Sequence, residues 1–186
     1  MSDACPPVRI AIVGPESCGK STLAAQLASR LQQHGVAAVA VAEYARAYYA
    51  HRPYQPSAAD ILAIARGQLA AEQAACDAGA SVLLCDTTVL TCRIWAEVAF
   101  GQAEPALLAI NQPHSYTQTL LTVPDLPWQP DPLRSHPDSR DWLFSLYREA
   151  LQAAGVPYQL VAGQGAQRQA AAWAALRRVL PQLPVF

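Results

Sequence analysis

Short runs of apolar residues alternate along this chain with longer stretches of helical periodicity. Five runs predict strands, at residues 8–13, 36–42, 81–85, 117–123 and 158–161. Periodic stretches predict helices at residues 20–33, 57–78, 89–100, 103–111, 139–154 and 166–180. Because strands alternate with helices, we expect an α/β fold: a mostly parallel five-stranded sheet with helices on both faces, forming three layers.

The polar residues at the ends of the predicted strands are the candidates for function, since ligands of such sheets bind at the carboxyl ends of the strands. Three short polar segments occupy these positions, at residues 14–21, 43–46 and 86–88. A fourth candidate is the segment of residues 124–137, which holds five prolines and no periodicity. We call this segment the proline-rich loop.

The first polar segment, GPESCGKS, fits the pattern G-x-x-x-x-G-K-[ST] between a strand and a helix. Glycines let successive backbone N–H groups point at phosphate oxygens, and the following helix adds its own N–H groups and the positive end of its dipole. Lys20 is expected to bridge the β- and γ-phosphates, and Ser21 to ligate Mg²⁺. The expected nucleotide contacts in this segment are Gly14, Glu16, Ser17, Cys18, Gly19, Lys20, Ser21 and Thr22.

This segment predicts a P-loop NTPase fold, in which ATP and Mg²⁺ are the expected cofactors. No Asn-Lys-x-Asp segment follows a strand, which argues against a GTPase, and a motor or oligomeric ATPase should be larger. A compact P-loop domain without further modules fits a kinase of a small molecule. Such an enzyme needs an acceptor pocket, a group that orients the acceptor hydroxyl and a cation over the transferred phosphoryl group.

Carboxylates end the second and third strands. Glu43 is placed to orient or deprotonate an acceptor hydroxyl, and Tyr44 and Arg46 follow it as candidate acceptor contacts. Arg46 either binds a substrate anion or pairs with Glu43. Asp86 closes the apolar run VLLCD, the pattern of a carboxylate that positions Mg²⁺, although the same position can contact the acceptor. Gln68, on the long helix predicted at residues 57–78, is a further candidate for the acceptor.

The proline-rich loop is the candidate lid, extending to about residue 140. Arg134 is the first candidate for the cation over the phosphoryl group and Arg140 the second, with ion pairs to nearby aspartates as the alternative. Trp128 either stacks on a flat ring or anchors the loop in the core.

Composition excludes several other classes of protein. The chain has 186 residues and a formal net charge of −1, and only 15% of the residues are charged. We therefore expect one domain over residues 1–186, with no nucleic-acid or membrane partner. No apolar stretch is long enough to span a bilayer and the first residues do not form a signal peptide, which favours the cytoplasm. The five cysteines include no C-x-x-C pair and are expected to be reduced. Apolar surface is compatible with a homodimer, which periodicity does not establish.

Taken together, these residues resemble the NadR-type ribosylnicotinamide kinase family. The resemblance rests on five segments: GPESCGKSTL at 14–23, AEYARAYY at 42–49, IARGQ at 64–68, CDTTVLT at 85–91 followed by Trp95, and PWQPDPLR at 127–134. It implies transfer of the ATP γ-phosphoryl group to the 5′-hydroxyl of nicotinamide riboside, giving nicotinamide mononucleotide. We do not expect the adenylyltransferase or DNA-binding activities that accompany this kinase domain in other members.

Two alternatives stay open. One is a P-loop kinase for another nucleoside or nucleotide. The other is a regulatory ATP-binding module whose nucleotide state acts on a protein partner. Turnover that depends on an acceptor separates the kinase hypotheses from the regulatory one.

Overall fold

The structure is a computed structural model that describes residues 6–186, so Cys5 and the rest of the first five residues of the predicted domain lie outside it. The described residues form five strands: β1 (Val8–Val13), β2 (Ala38–Val41), β3 (Val82–Asp86), β4 (Gln118–Thr122) and β5 (Tyr158–Val161). The α-helices are α1 (Lys20–Gln33), α2 (Tyr44–Tyr49), α3 (Ala58–Asp77), α4 (Val89–Phe100), α5 (Pro105–Ile110), α6 (Arg140–Ala153) and α7 (Ala166–Val179).

All five strands are parallel and lie in the order β2-β3-β1-β4-β5. The central strand β1 pairs with β3, where Ile12 lies opposite Asp86, and with β4, where Val13 lies opposite Leu121. The carboxyl ends of β1, β3 and β4 therefore meet at one edge of the sheet. The predicted three-layer P-loop fold with a five-stranded sheet is confirmed.

Alternate residues of the central strands pack on opposite faces of the sheet, which explains why these strands are apolar throughout. Ile10 and Ile12 pack with α1 and α7, where Trp173 is fully buried. Ala11 and Val13 pack with α4 and α6, where Tyr147 is buried. Burial on both faces fixes the register of β1, because a slip of one residue would exchange the two cores.

Three features of the chain differ from the sequence expectation. The six-residue helix α2 was not predicted, because the segment YARAYY lacks an apolar stripe of helical spacing and a side-chain cap at its first turn. The second strand is shorter than predicted, and α5 begins at Pro105, whose fixed φ suits the first position of a helix. Among residues 6–186 no helix has the length and apolar character needed to cross a bilayer.

Candidate functional site

The GPESCGKS segment connects β1 directly to α1 at the carboxyl edge of the sheet. Gly14 has a φ of 140°, and a Cβ at this position would overlap Thr122 Oγ1 on the neighbouring strand, so no larger residue fits there. Gly19 has a φ of 70° and directly precedes the first turn of α1. Two positions in the segment therefore require glycine, and the free N–H groups of α1 face the same end of the molecule.

Lys20 folds back over this segment. Its Nζ donates to the carbonyl oxygens of Gly14, at 2.9 Å, and Pro15, at 2.6 Å. These carbonyls satisfy the ammonium group without a carboxylate, so the positive charge stays available to an anion. Lys20 is also the only lysine in the sequence.

A cavity of about 560 Å³ extends from the GPESCGKS segment across the carboxyl edge of the sheet. We call this segment, residues 14–21, the phosphate-binding segment after its motif. The GPESCGKS segment lines this cavity together with Glu43 and Arg46, at the start of α2. Residues Leu126, Arg134 and His136 of the proline-rich loop also line the cavity. Thr87 of the segment 86–88 lines the cavity as well, so the structure places residues of all four polar segments selected from the sequence around one space.

Two carboxylates lie near the positive charge of Lys20. Burial raises the pKa of Glu43, the charge of Asp86 raises it further, and Lys20 acts in the opposite direction. Burial also raises the pKa of Asp86, against the effect of Lys20 and of a hydrogen bond from the Ser21 hydroxyl. Two acids whose pKa values rise by burial, next to one lysine, are typical of sites that handle protons or cations.

Asp86 and Ser21 form a donor set that fits Mg²⁺. Asp86 is only 2% exposed, and its Oδ1 has no hydrogen-bond partner among the described residues. No group of three or more His, Cys, Asp and Glu side chains suited to a metal occurs within residues 6–186. Mg²⁺ in phosphoryl-transfer sites needs few protein ligands, since substrate phosphates and water supply the others. One orphaned carboxylate oxygen beside a hydroxyl is therefore sufficient.

Arg46 joins the wall of the cavity to the proline-rich loop. Its Nε lies 3.2 Å from Glu43 Oε2, and its Nη1 donates to Asp131 Oδ2 at 2.9 Å. Of the two alternatives for this residue, the structure displays the pairing with Glu43. The guanidinium group remains partly exposed to the cavity.

Arg134 and Arg140 are not used by ion pairs within the described part of the chain. Arg134 donates from Nη1 to the carbonyl oxygen of Gln129 at 2.6 Å, and its side chain lines the cavity. Arg140 donates to the carbonyl oxygen of Leu126 and lies 5.9 Å from the ring centre of Trp128. Both guanidinium charges thus lack an anionic partner near the phosphate-binding segment.

Three predicted substrate contacts lie behind the wall of the cavity. Gln68 is 2% exposed, and its Oε1 accepts a hydrogen bond from the backbone N–H of Tyr44 at 3.0 Å. The Tyr44 ring packs on Gly67. Trp128 contacts Arg140 and does not line the cavity. The structure therefore places these side chains where they support the start of α2 and the proline-rich loop.

Part of the cavity lining is apolar and aromatic, which the motif analysis missed, and we call this part the aromatic end. Tyr49 and Tyr54 pack edge to face with ring centres 5.0 Å apart, and Trp95 lies 5.1 Å from the His136 ring. Ile61 and Ile64 of α3 complete this end. The four tyrosines clustered at residues 44–54 were a compositional signal, but nothing in their spacing indicates that two of them line the same cavity as Trp95.

Arg168 is a second residue that sequence reasoning missed. It is 5% exposed and donates to the carbonyl oxygens of Val123, Val161 and Gly163, and it pairs with Asp125. It therefore ties the end of β4, the end of β5 and the first residues of the proline-rich loop together. No motif surrounds it in the sequence.

Comparison with known proteins agrees with this fold. A family model described as an AAA domain matches residues 9–168. A search among curated proteins finds no match. A solved structure of NadR protein in complex with NR superposes with a TM-score of 0.79 at 17% sequence identity, over 97% of this chain and 52% of that one.

A second NadR structure, in complex with NAD and AMP-PNP, gives a TM-score of 0.73 at 17% identity, over 93% of this chain and 49% of that one. This chain thus spans about half the length of those solved chains. At this identity the likeness shows the fold alone.

Proposed function

We propose that this chain, which belongs to the AAA domain family of P-loop proteins, is an ATP-dependent kinase of a small molecule. The acceptor that we propose is nicotinamide riboside, with nicotinamide mononucleotide as the product. The likeness to NadR structures supports this choice, because one contains NR and another contains an ATP analogue. The wider substrate class is that of nucleosides, with a flat ring at the aromatic end of the cavity and a free hydroxyl near Glu43.

The observation that carries the proposal is that Lys20, Glu43 and Arg134 line one cavity. A module that only bound ATP would need the phosphate-binding segment, but it would need neither a carboxylate such as Glu43 nor an aromatic end in the same cavity. A phosphoryl transfer needs all three, since donor, acceptor and compensating charge must meet.

In the proposed reaction, the acceptor oxygen attacks the γ-phosphorus while the bond from that phosphorus to the β,γ-bridging oxygen breaks. Glu43 orients the acceptor hydroxyl or takes its proton. Lys20 moves from the carbonyls of Gly14 and Pro15 to the β- and γ-phosphates, and Arg134 offsets charge on the transferred group. Ser21 and Asp86 would hold Mg²⁺, which when bound neutralises phosphate charge.

The test is ADP release with Mg-ATP in a coupled assay, together with mass detection of the phosphorylated product. The acceptor panel contains nicotinamide riboside, the common ribo- and deoxyribonucleosides, and water alone. We expect nicotinamide riboside to stimulate turnover, and we expect Lys20→Ala to lower the turnover by about a hundredfold or more. The matched control is Arg178→Ala, which removes a positive charge from the exposed side of α7.

Each result has a distinct meaning. Stimulation by another nucleoside would retain the kinase and replace its acceptor. ATP binding without stimulation by any acceptor would contradict the kinase proposal and favour a regulatory ATP-binding module. Equal turnover in Lys20→Ala and the parent protein would exclude the phosphate-binding segment as the site of catalysis.

A further inference from the structure

Glu16 is an unexpected residue at the centre of a phosphate-binding segment. A carboxylate there repels a triphosphate, and yet Glu16 is only 8% exposed and has no lysine or arginine partner in the described structure. Its carboxylate accepts hydrogen bonds from the backbone N–H of Ser135, at 3.1 and 3.2 Å, and from that of His136, at 3.2 Å. The His136 ring nitrogen Nδ1 lies 3.9 Å from Glu16 Oε1. The acid is thus directed at the proline-rich loop.

The next residue contacts the same loop at an earlier point. The Ser17 Oγ accepts a hydrogen bond from the backbone N–H of Gln129 at 2.9 Å and donates to the carbonyl oxygen of Pro127 at 3.4 Å. Ser17 has a φ of 55°, which is uncommon for a residue with a side chain. Two adjacent side chains of the phosphate-binding segment therefore bind the backbone of the loop at two places, residues 127–129 and residues 135–136.

Arg134 lies between these two attachments. Its backbone N–H donates to the carbonyl oxygen of Asp131 at 3.0 Å, its side chain donates to that of Gln129, and Ser135 directly follows it. Because residues 129, 135 and 136 are all fixed to the phosphate-binding segment, the position of the Arg134 guanidinium is fixed relative to Lys20. The loop carries no helix or strand that would hold it by itself.

We propose that Glu16 and Ser17 are positioning residues, which fasten the proline-rich loop onto the phosphate-binding segment and so hold Arg134 over the transferred phosphoryl group. This inference rests on the proposed kinase function for the role of Arg134, but the fastening itself does not depend on it. It gives Glu16 a task different from the nucleotide contact that the motif implies. That contact is made by the backbone N–H, so it leaves the carboxylate free to accept hydrogen bonds from the loop.

The fastening is tested by trypsin, which cleaves the Arg134–Ser135 bond only when the loop opens. Cleavage of a folded protein measures local opening, and hydrogen bonds to a charged group contribute enough to change that opening by about tenfold or more. Glu16→Gln replaces the carboxylate with a neutral amide, which has one acceptor oxygen instead of two for the backbone N–H groups of Ser135 and His136. We expect nucleotide-free Glu16→Gln to give the 135–186 fragment about tenfold faster than the parent protein.

The matched control is Glu149→Gln, an exposed position on α6 that should cleave at the parent rate. Thermal unfolding of each variant identifies a loss of global stability. If Glu16→Gln does not fold, Ser17→Ala takes its place, with the same expected rise in cleavage. An unchanged cleavage rate in the folded variant overturns the proposal.

A second readout separates positioning from nucleotide contact. With the loop released, we expect the turnover number of Glu16→Gln to fall about tenfold while the affinity for ATP changes by less than about threefold. A loss confined to ATP affinity, with no change in cleavage, would make Glu16 a nucleotide contact and overturn the inference. If the parent protein turned over no acceptor, the proposed function would fail, and the cleavage rates would still decide whether Glu16 fastens the loop.

Discussion

At the scale of single residues, burial decides which polar groups are available for chemistry. Asp86 has one carboxylate oxygen without a partner among the described residues, whereas both oxygens of Glu16 accept hydrogen bonds from the proline-rich loop. Glu43 is intermediate between these two acids. Arg46 Nε lies 3.2 Å from its carboxylate, and about a quarter of its side chain is still exposed. A partly free acid on the cavity wall suits contact with an acceptor hydroxyl.

Glu43→Gln keeps the shape of the side chain and removes its charge. We expect acceptor-stimulated turnover to fall by about a hundredfold to ten-thousandfold, because the amide cannot take a proton. ATP affinity should stay near that of the parent protein, since Glu43 lies outside the phosphate-binding segment. The coupled assay and a binding titration measure the two quantities, with Glu104→Gln, an exposed acid outside the cavity, as the control. A parallel loss of ATP affinity would contradict this assignment.

Asp60, in the first turn of α3, makes the stability of the folded protein depend on pH. Hydrogen bonds from the side chains of Ser57 and Tyr48 and from the Ser57 backbone lower the pKa of Asp60 from 3.8 to about 2. A lowered carboxyl pKa stabilises the folded protein above pH about 4, and this contribution is lost as the pH falls toward about 2. The urea midpoint of Asp60→Asn should therefore depend less steeply on pH across this interval than that of the parent protein. The control Asp138→Asn should show the same pH dependence as the parent protein. Equal slopes in all three proteins would exclude this contribution.

At the scale of elements, α2 depends on α3. The backbone N–H of Tyr44, in the first turn of α2, donates to Gln68 of α3, and the Tyr44 ring lies on Gly67. The Tyr48 hydroxyl donates to Asp60 at 2.6 Å from the other end of α2. A helix of six residues is too short to be stable alone, so its position, and that of Glu43 before it, comes from these contacts.

Gly67→Ala tests this dependence. In a helix, alanine is favoured over glycine by about 1 kcal/mol, so helical propensity alone predicts stabilisation. The added Cβ would overlap the Tyr44 ring, and we expect the variant to lose about 1–3 kcal/mol of unfolding free energy and to bind the acceptor less tightly. In a Tyr44→Ala background the same change should be neutral or stabilising. Urea unfolding of the four proteins measures the coupling, and additive effects would argue against the contact.

At the scale of the whole molecule, one buried polar network joins α3 to the sheet. Glu72 is fully buried on α3 and pairs with Arg9 of β1, and the Tyr116 hydroxyl donates to it at 2.9 Å from just before β4. The Arg9 guanidinium also lies 5.1 Å from the Tyr116 ring. Because α3 carries Gln68 and the isoleucines of the cavity, this network helps to set the position of the acceptor wall.

Arg9→Met leaves Glu72 buried with a single hydroxyl donor. We expect a loss of about 3–5 kcal/mol in unfolding free energy, because an uncompensated buried charge is costly. Replacing both partners, as Arg9→Met with Glu72→Leu, should recover most of this loss by removing the charge as well. Urea unfolding with matched m-values measures the difference. A double variant as unstable as Arg9→Met would show that packing and not charge determines the loss.

The sequence by itself determined the elements and the donor half of the site. Branched apolar runs that are buried continuously produce a parallel sheet covered on both faces. The glycine spacing of GPESCGKS permits one local conformation between a strand and a helix. Glu43 and Asp86 could be selected because they directly follow apolar strands, and parallel strands bring such ends to one edge. These are local properties of the chain.

Only the tertiary structure decided which side chains meet across long separations. Helix α2 has no apolar periodicity, and it forms where Tyr44 contacts Gln68 and Gly67. Tyr54 and Trp95 line the same cavity only because the fold packs α3 against α4. Glu16 belongs by motif to the phosphate-binding segment. The fold places a loop about 120 residues later in the chain beside it, and the carboxylate accepts hydrogen bonds from the backbone N–H groups of that loop. A motif specifies a backbone conformation, whereas the partner of a buried polar side chain depends on what the rest of the fold places beside it.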